Sequence, residues 1–144
     1  MTTLTHGDAQ DLLERYKRAW ERRDPDLAME LYREDAEVRL DPFEEPARGA
    51  NEIREIWNDV AASQDHVEFD AERIWVVAHT ILTSWHAAFT RRSNSERIRI
   101  RGFSTFELDQ SGLIHRARQW AQARVVGRDS THRGEETGEL LNGG

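Results

Sequence analysis

The sequence predicts an α+β domain: three N-terminal helices packed in the concave face of a curved antiparallel sheet. Three observations carry this. Apolar residues recur at helical spacing in three stretches between Asp8 and Ser63. From Val67 onward the period changes to two and stays there. Turn residues then divide the second half into segments long enough for hairpin-linked strands. Strands of that length twist and coil. With helices on its hollow side, such a sheet forms a cone that ends in an apolar pocket.

The first helix spans Asp8 to Arg23, with Leu12, Leu13, Tyr16, Ala19 and Trp20 on one face and charged residues on the other. Thr5 and Asp8 have the spacing of a capping box. Asp24-Pro25 stops this helix and starts a second, because Asp caps and Pro suits the first helical position. Leu27, Ala28, Leu31 and Tyr32 supply the second helix's apolar face, and the pattern breaks at Glu34-Asp35. Ala36 to Leu40 alternates as a short strand that Asp41-Pro42 ends. Pro42, Pro46 and Gly49 mark an irregular loop, after which Ile53, Ile56, Trp57 and Val60 define a third helix over Asn51 to Ser63.

Four strands follow. Val67 to Val77 alternates apolar with acidic residues, Thr80 to Arg91 is the second strand, and Ser93-Asn94-Ser95 turns the chain. Arg97 to Leu108 sets Ile98, Ile100 and Gly102 against Arg97, Arg99 and Arg101. Asp109-Gln110-Ser111-Gly112 is a turn, and Leu113 to Val126 is the last strand. A domain over 1–127 is therefore expected, followed by a polar, flexible tail over 128–144.

Composition bounds the function. A chain of 144 residues, 38% hydrophobic and 33% charged, suits one soluble domain whose core rests on a few large side chains, among them five Trp and five Phe. The formal charge of −7 argues against nucleic acid. The absence of Cys excludes disulfides and thiolate chemistry. No apolar run in Met1 to Asp11 resembles a signal peptide, and no segment reaches membrane-spanning length, so a cytoplasmic location and no membrane partner are expected. The six histidines lack metal-ligand spacing, and the glycines form no phosphate or dinucleotide loop, so no metal and no cofactor are expected.

The run YREDAEVRLDPFEEPARGANEIREIW, Tyr32 to Trp57, and the closing hairpin GFSTFELDQSGLIHRARQW resemble the nuclear transport factor 2-like superfamily, in its SnoaL-like and ketosteroid-isomerase-like branches. The resemblance covers about Ala9 to Val126 and implies a cone-shaped fold, an apolar small-molecule ligand or substrate, and a homodimer through the outer sheet face. Ketosteroid isomerases place a Tyr on the first helix, an Asp base after the first strand and a protonated Asp on the third long strand. Tyr16 matches the first. The base position falls at Leu40, or at Asp41 if the Asp-Pro pair is aligned, and the third falls at Ser104. Trp57 stands where these isomerases carry a supporting Tyr. SnoaL-like cyclases place an acidic residue on the last strand. Here no Asp or Glu lies between Asp109 and Asp129, and Gln119 and Gln122 occupy the neighbourhood. The Arg-x-Asp pair of limonene epoxide hydrolases is also missing.

These residues define an expected site. Tyr16 is the candidate proton donor, and Asp41 is the candidate base, or else only the start of a turn, the commoner role of an Asp-Pro pair. His86, in SWHAAF, is a third acid–base candidate if it points inward, and a sheet histidine held by hydrogen bonds if it does not. Trp20, Leu40, Phe43, Trp57, Trp85, Phe89, Ser104 and Gln119 are the expected substrate-binding residues. Gly102, Ala117 and Ala121 are expected to leave room beside them. The predicted function is cofactor-independent acid–base chemistry on an apolar substrate, of isomerase, cyclase or hydrolase/dehydratase type. The alternative is a non-catalytic ligand-binding or dimerisation module.

Overall fold

The computed structural model describes residues 3–128. The tail expected over 128–144 lies outside this range except for Arg128, which continues the last strand.

Helix α1, His6–Glu21, starts on a complete capping box. Thr5 Oγ1 accepts the Asp8 N–H at 3.0 Å, and the Asp8 carboxylate accepts the Thr5 N–H at 3.0 Å. Asp24 caps the short α2, Pro25–Met29, through the N–H groups of Asp26 and Leu27. The expected second helix ran on to Tyr32, but the chain leaves helical geometry sooner. Tyr32 opens strand β1, Tyr32–Arg39, and pairs with Ile114. A two-residue strand β2, Ala47–Arg48, pairs back on β1 and leads into α3, Gly49–Ser63. Gly49 sits at φ 85°, which a side chain would strain.

The long strands follow as β3 Gln64–Val77, β4 Thr80–Arg91, β5 Glu96–Leu108 and β6 Ile114–Arg128. They form one sheet with β1 and β2, in the order β2-β1-β6-β5-β4-β3. The expected antiparallel sheet proves to be mixed, because β1 runs parallel to β6. No hairpin joins these two strands. The chain between them crosses through α3 and four strands, so connectivity does not impose antiparallel pairing.

Strand β3 is an edge, and α1 covers it. Lys17 Nζ donates to the Phe69 carbonyl at 2.8 Å, and Glu21 Oε2 accepts the Phe69 N–H at 3.0 Å. The free peptide of the edge is thereby satisfied by one helix face. Hydrogen bonding to Asp70 outweighs desolvation and raises the Lys17 pKa, so this ammonium stays charged. The core lies between the helices and the concave face, where Leu12, Trp20, Ile53, Phe69, Ile81, Trp85 and Ile114 are buried together.

Candidate functional site

The hollow of the sheet holds a cavity of about 180 Å³. Tyr16 and Trp20 enter it from α1, Ile56, Trp57 and Val60 from α3, and Tyr32, Val38 and Leu40 from the β1 segment. Trp85, Ile100, Ser104, Phe106, Ala117 and Gln119 form the sheet wall, and Gln64 enters from the start of β3. The period-two alternation places these side chains, because Trp85, Ser104 and Ala117 occupy inward positions on three neighbouring strands.

Tyr16 sits inside a ring of aromatics. Its ring meets Trp57 at 5.5 Å and Phe69 and Phe106 at 5.4 Å each, in edge-on arrangements. Burial pushes its phenol well above the usual tyrosine range, although part of the residue stays open to the cavity. Tyr32, 7% exposed, is raised first by burial and further by the neighbouring Tyr16, while a hydrogen-bonding pull from Trp57 acts weakly the other way. Both phenols are therefore neutral at any physiological pH. Neither hydroxyl has a protein acceptor at hydrogen-bond distance among the described residues, so each proton is available to a ligand.

Two further tryptophans are fixed by their indole nitrogens. Trp85 Nε1 donates to Ser104 Oγ at 2.9 Å, and Trp20 Nε1 donates to Gln64 Oε1 at 2.8 Å. Trp85 lies directly over Gly102, whose missing side chain makes the space for the indole. Gly102 was expected to leave room for a ligand; that room is taken by Trp85. Ala117 does line the cavity, whereas Ala121 faces an open groove at its rim.

Of the expected site residues, Tyr16, Trp20, Leu40, Trp57, Trp85, Ser104 and Gln119 line the cavity. Four expected residues stand elsewhere. Asp41 is exposed, and its carboxylate accepts the Phe43 N–H at 2.9 Å, which commits it to the loop turn. Phe43 is 98% exposed on that loop. Phe89 packs against the core beyond the cavity lining. His86 lies on the outer sheet face, since inward Trp85 fixes the opposite parity. Its Nδ1 lies 3.3 Å from Glu72, and its Nε2 lies 3.7 Å from Asp70.

Sequence reasoning missed Tyr32 and Gln64. Tyr32 was obscured because helical spacing from Ala28 continues onto it, and a register shift between Tyr32 and Glu37 breaks the alternation that would have marked a strand. Gln64 carries no sequence signal, as it stands where helix passes into strand. No Asp, Glu or His lines the cavity among the described residues. No group of three or more His, Cys, Asp or Glu there could hold a metal ion.

The helices close the curved sheet over a mainly apolar cavity that carries two tyrosine hydroxyls and reaches Arg39 and Arg118. The profile of the SnoaL-like domain matches residues 13–117, and the chain belongs to that family. No curated protein matches the sequence. Solved structures agree on the fold. SalBIII, an epoxide hydrolase/cyclase-like enzyme of pyran ring formation in the polyether salinomycin, is 19% identical with a TM-score of 0.71, over 81% of this chain and 94% of its own. A limonene-epoxide-hydrolase-like epoxide hydrolase of M. tuberculosis is 17% identical with a TM-score of 0.69, over 96% and 92%. A protein of ketosteroid isomerase-like fold from Catenulispora acidiphila, in complex with trimethylamine, is 9% identical with a TM-score of 0.68, over 76% and 83%. At these identities the likeness is one of fold.

Proposed function

We propose that this chain binds an apolar small molecule in the cavity and acts on it as an enzyme, by hydrogen bonding from Tyr16 and Tyr32 to a ligand oxygen. The observation that supports this is the pair of neutral phenols aimed into an apolar hollow without protein acceptors among the described residues. Such donors stabilise negative charge developing on oxygen, and low polarity around them strengthens the effect. The reading needs no cofactor. Because no carboxylate or imidazole lines the cavity among the described residues, the proton acceptor is the substrate itself or water. Isomerisation fits this better than base-driven hydrolysis.

Turnover assays on hydroxyl-free epoxides and β,γ-unsaturated ketones, followed by mass spectrometry or absorbance, test the reading. Tyr16→Phe should lower kcat about 100-fold or more, the usual loss for one oxyanion donor. Asp41→Asn should change little, because its carboxylate serves the turn. Full activity in Tyr16→Phe would remove the phenol from the mechanism.

One observation favours the second reading, a non-catalytic ligand-binding module. The carboxylates used by related enzymes are missing from the lining among the described residues. Under that reading ligands bind and leave unchanged, in the wild type and in Tyr16→Phe alike.

The same proposal includes a homodimer through the outer sheet face. Trp75 and Trp120 are 42% and 44% exposed there, with Phe103 tilted against Trp75 at 6.2 Å. Glu68, Asp70 and Glu72 form an acidic column on β3, and Arg99, Arg101 and Arg124 form basic columns on β5 and β6. A two-fold axis through the sheet sets one copy's acidic edge on the other's basic strands. Trp120→Glu should convert a dimer to a monomer in sedimentation, and a wild-type monomer at micromolar concentration would refute the interface. A cytoplasmic location completes the reading; its support is the charged, Cys-free composition, and cell fractionation checks it.

A further inference from the structure

The tryptophans of the cavity do more than wall it, because their N–H groups set the hydrogen-bonding sense of the polar side chains they touch. An indole nitrogen can only donate. Trp20 therefore requires the oxygen of Gln64 to face it, and this turns the Gln64 amide nitrogen, with its two protons, to the remaining side. Trp85 likewise occupies a lone pair of Ser104 Oγ, while the Ser104 proton finds no acceptor among the described residues. Gln64, Ser104 and Tyr32 all line the cavity, beside the free hydroxyl of Tyr16.

The acceptors of this lining are thus partly spent on protein donors, and the protons are left over. Gln119, opposite Ser104 on β6, is the one lining amide whose oxygen is unengaged among the described residues. No lining carboxylate or imidazole offsets the excess of donors there.

We propose that Trp20 and Trp85 are specificity-determining residues, which select ligands that carry ketone, ester or ether oxygens and no hydrogen-bond donor. A ligand hydroxyl or amino group finds few acceptors for its own proton, the Gln119 oxygen and the remaining hydroxyl lone pairs, and a buried donor that misses them is costly. A ligand oxygen without a proton meets donors from several sides. This rests on the proposed small-molecule site and goes further by naming the polarity of what enters it.

Three probes of similar shape separate the two claims: α-tetralone, which accepts only; α-tetralol, which also donates; and tetralin, which does neither. Their binding is read from the indole ¹H–¹⁵N signals of the protein in NMR titrations, which also report whether each variant is folded. α-Tetralone should bind about tenfold more tightly than α-tetralol, from the cost of one unmatched buried donor, and more tightly than tetralin. Ser104→Ala should weaken α-tetralone about fivefold, the worth of one hydrogen bond, and leave tetralin unchanged. Trp85→Phe and Trp20→Phe each free an acceptor, so each should narrow the ketone-to-alcohol ratio.

Equal binding of all three probes, or an unchanged ratio in both tryptophan variants, would overturn the selectivity while leaving the pocket intact. If no probe shifts the indole signals up to millimolar concentration, the small-molecule site falls and the selectivity with it.

Discussion

Replacing Gly102 by alanine should destabilise the protein far more than a one-carbon change in a strand ordinarily does. A Cβ built there comes within 2.5 Å of Trp85 Cε2 and 2.8 Å of Cη2, and closer still to Cζ2. The indole has little room to withdraw. It is 2% exposed, packs on Phe69 at 5.6 Å and on Trp20 at 5.9 Å, and is tethered to Ser104 at 2.9 Å. Moving the ring costs about 1–3 kcal/mol in overpacking strain. Breaking the Ser104 bond adds about 1–3 kcal/mol for a buried N–H left without a partner. The sum, about 2–6 kcal/mol, is read as a fall in the urea midpoint at constant slope.

The double variant Gly102→Ala/Trp85→Phe isolates the cause, because the smaller ring withdraws the atoms that clash. In that background the alanine should cost less than about 1 kcal/mol, so the cycle should be non-additive by more than that amount. A loss below about 0.5 kcal/mol for Gly102→Ala alone, within the range of ordinary surface substitutions, would refute the close packing of Trp85 on the strand.

Other outcomes follow from the same structure. Burial raises the folded-state pKa of Tyr16 and Tyr32 above the ordinary tyrosine value, so the unfolded chain ionises first and releases protons that the folded chain retains. Stability from these groups is complete below about pH 10 and falls as pH rises beyond it, by about 1.4 kcal/mol per pH unit for each phenol. Tyr32→Phe should flatten that alkaline slope in chemical denaturation, and an unchanged slope would contradict the burial of its hydroxyl. Thr5→Ala breaks the capping box on α1 and should lower stability by about 1 kcal/mol, measured by thermal unfolding. Ala117→Trp fills the cavity from the sheet wall and should abolish α-tetralone binding while the helical circular dichroism is retained.

Much of the fold was legible because local chemistry wrote it. Thr5 with Asp8, and Asp24 with Pro25, announce helix starts by the hydrogen bonds that they offer. Alternation from Val67 to Val126 assigns one face of each strand to the core without reference to any partner. The errors fell where a pattern fits two geometries. Tyr32 continues a helical spacing and yet opens a strand, because its pairing with Ile114 lies more than eighty residues away. Phe43, a large apolar residue near the expected mouth, stands in solvent because the Asp41 turn points its loop outward.

The sequence by itself determined the order of helices and strands, the placing of Trp85 and His86 on opposite strand faces, and the Tyr16 position on the first helix. These depend on periods and caps, which neighbouring residues specify. The tertiary structure alone decided that Tyr16 and Tyr32 share one hollow, that Trp85 fills the space over Gly102, and that Trp20 and Trp85 turn Gln64 and Ser104 into donors. Such pairings join residues from separate elements, and the direction of a hydrogen bond is settled only when both partners are in place.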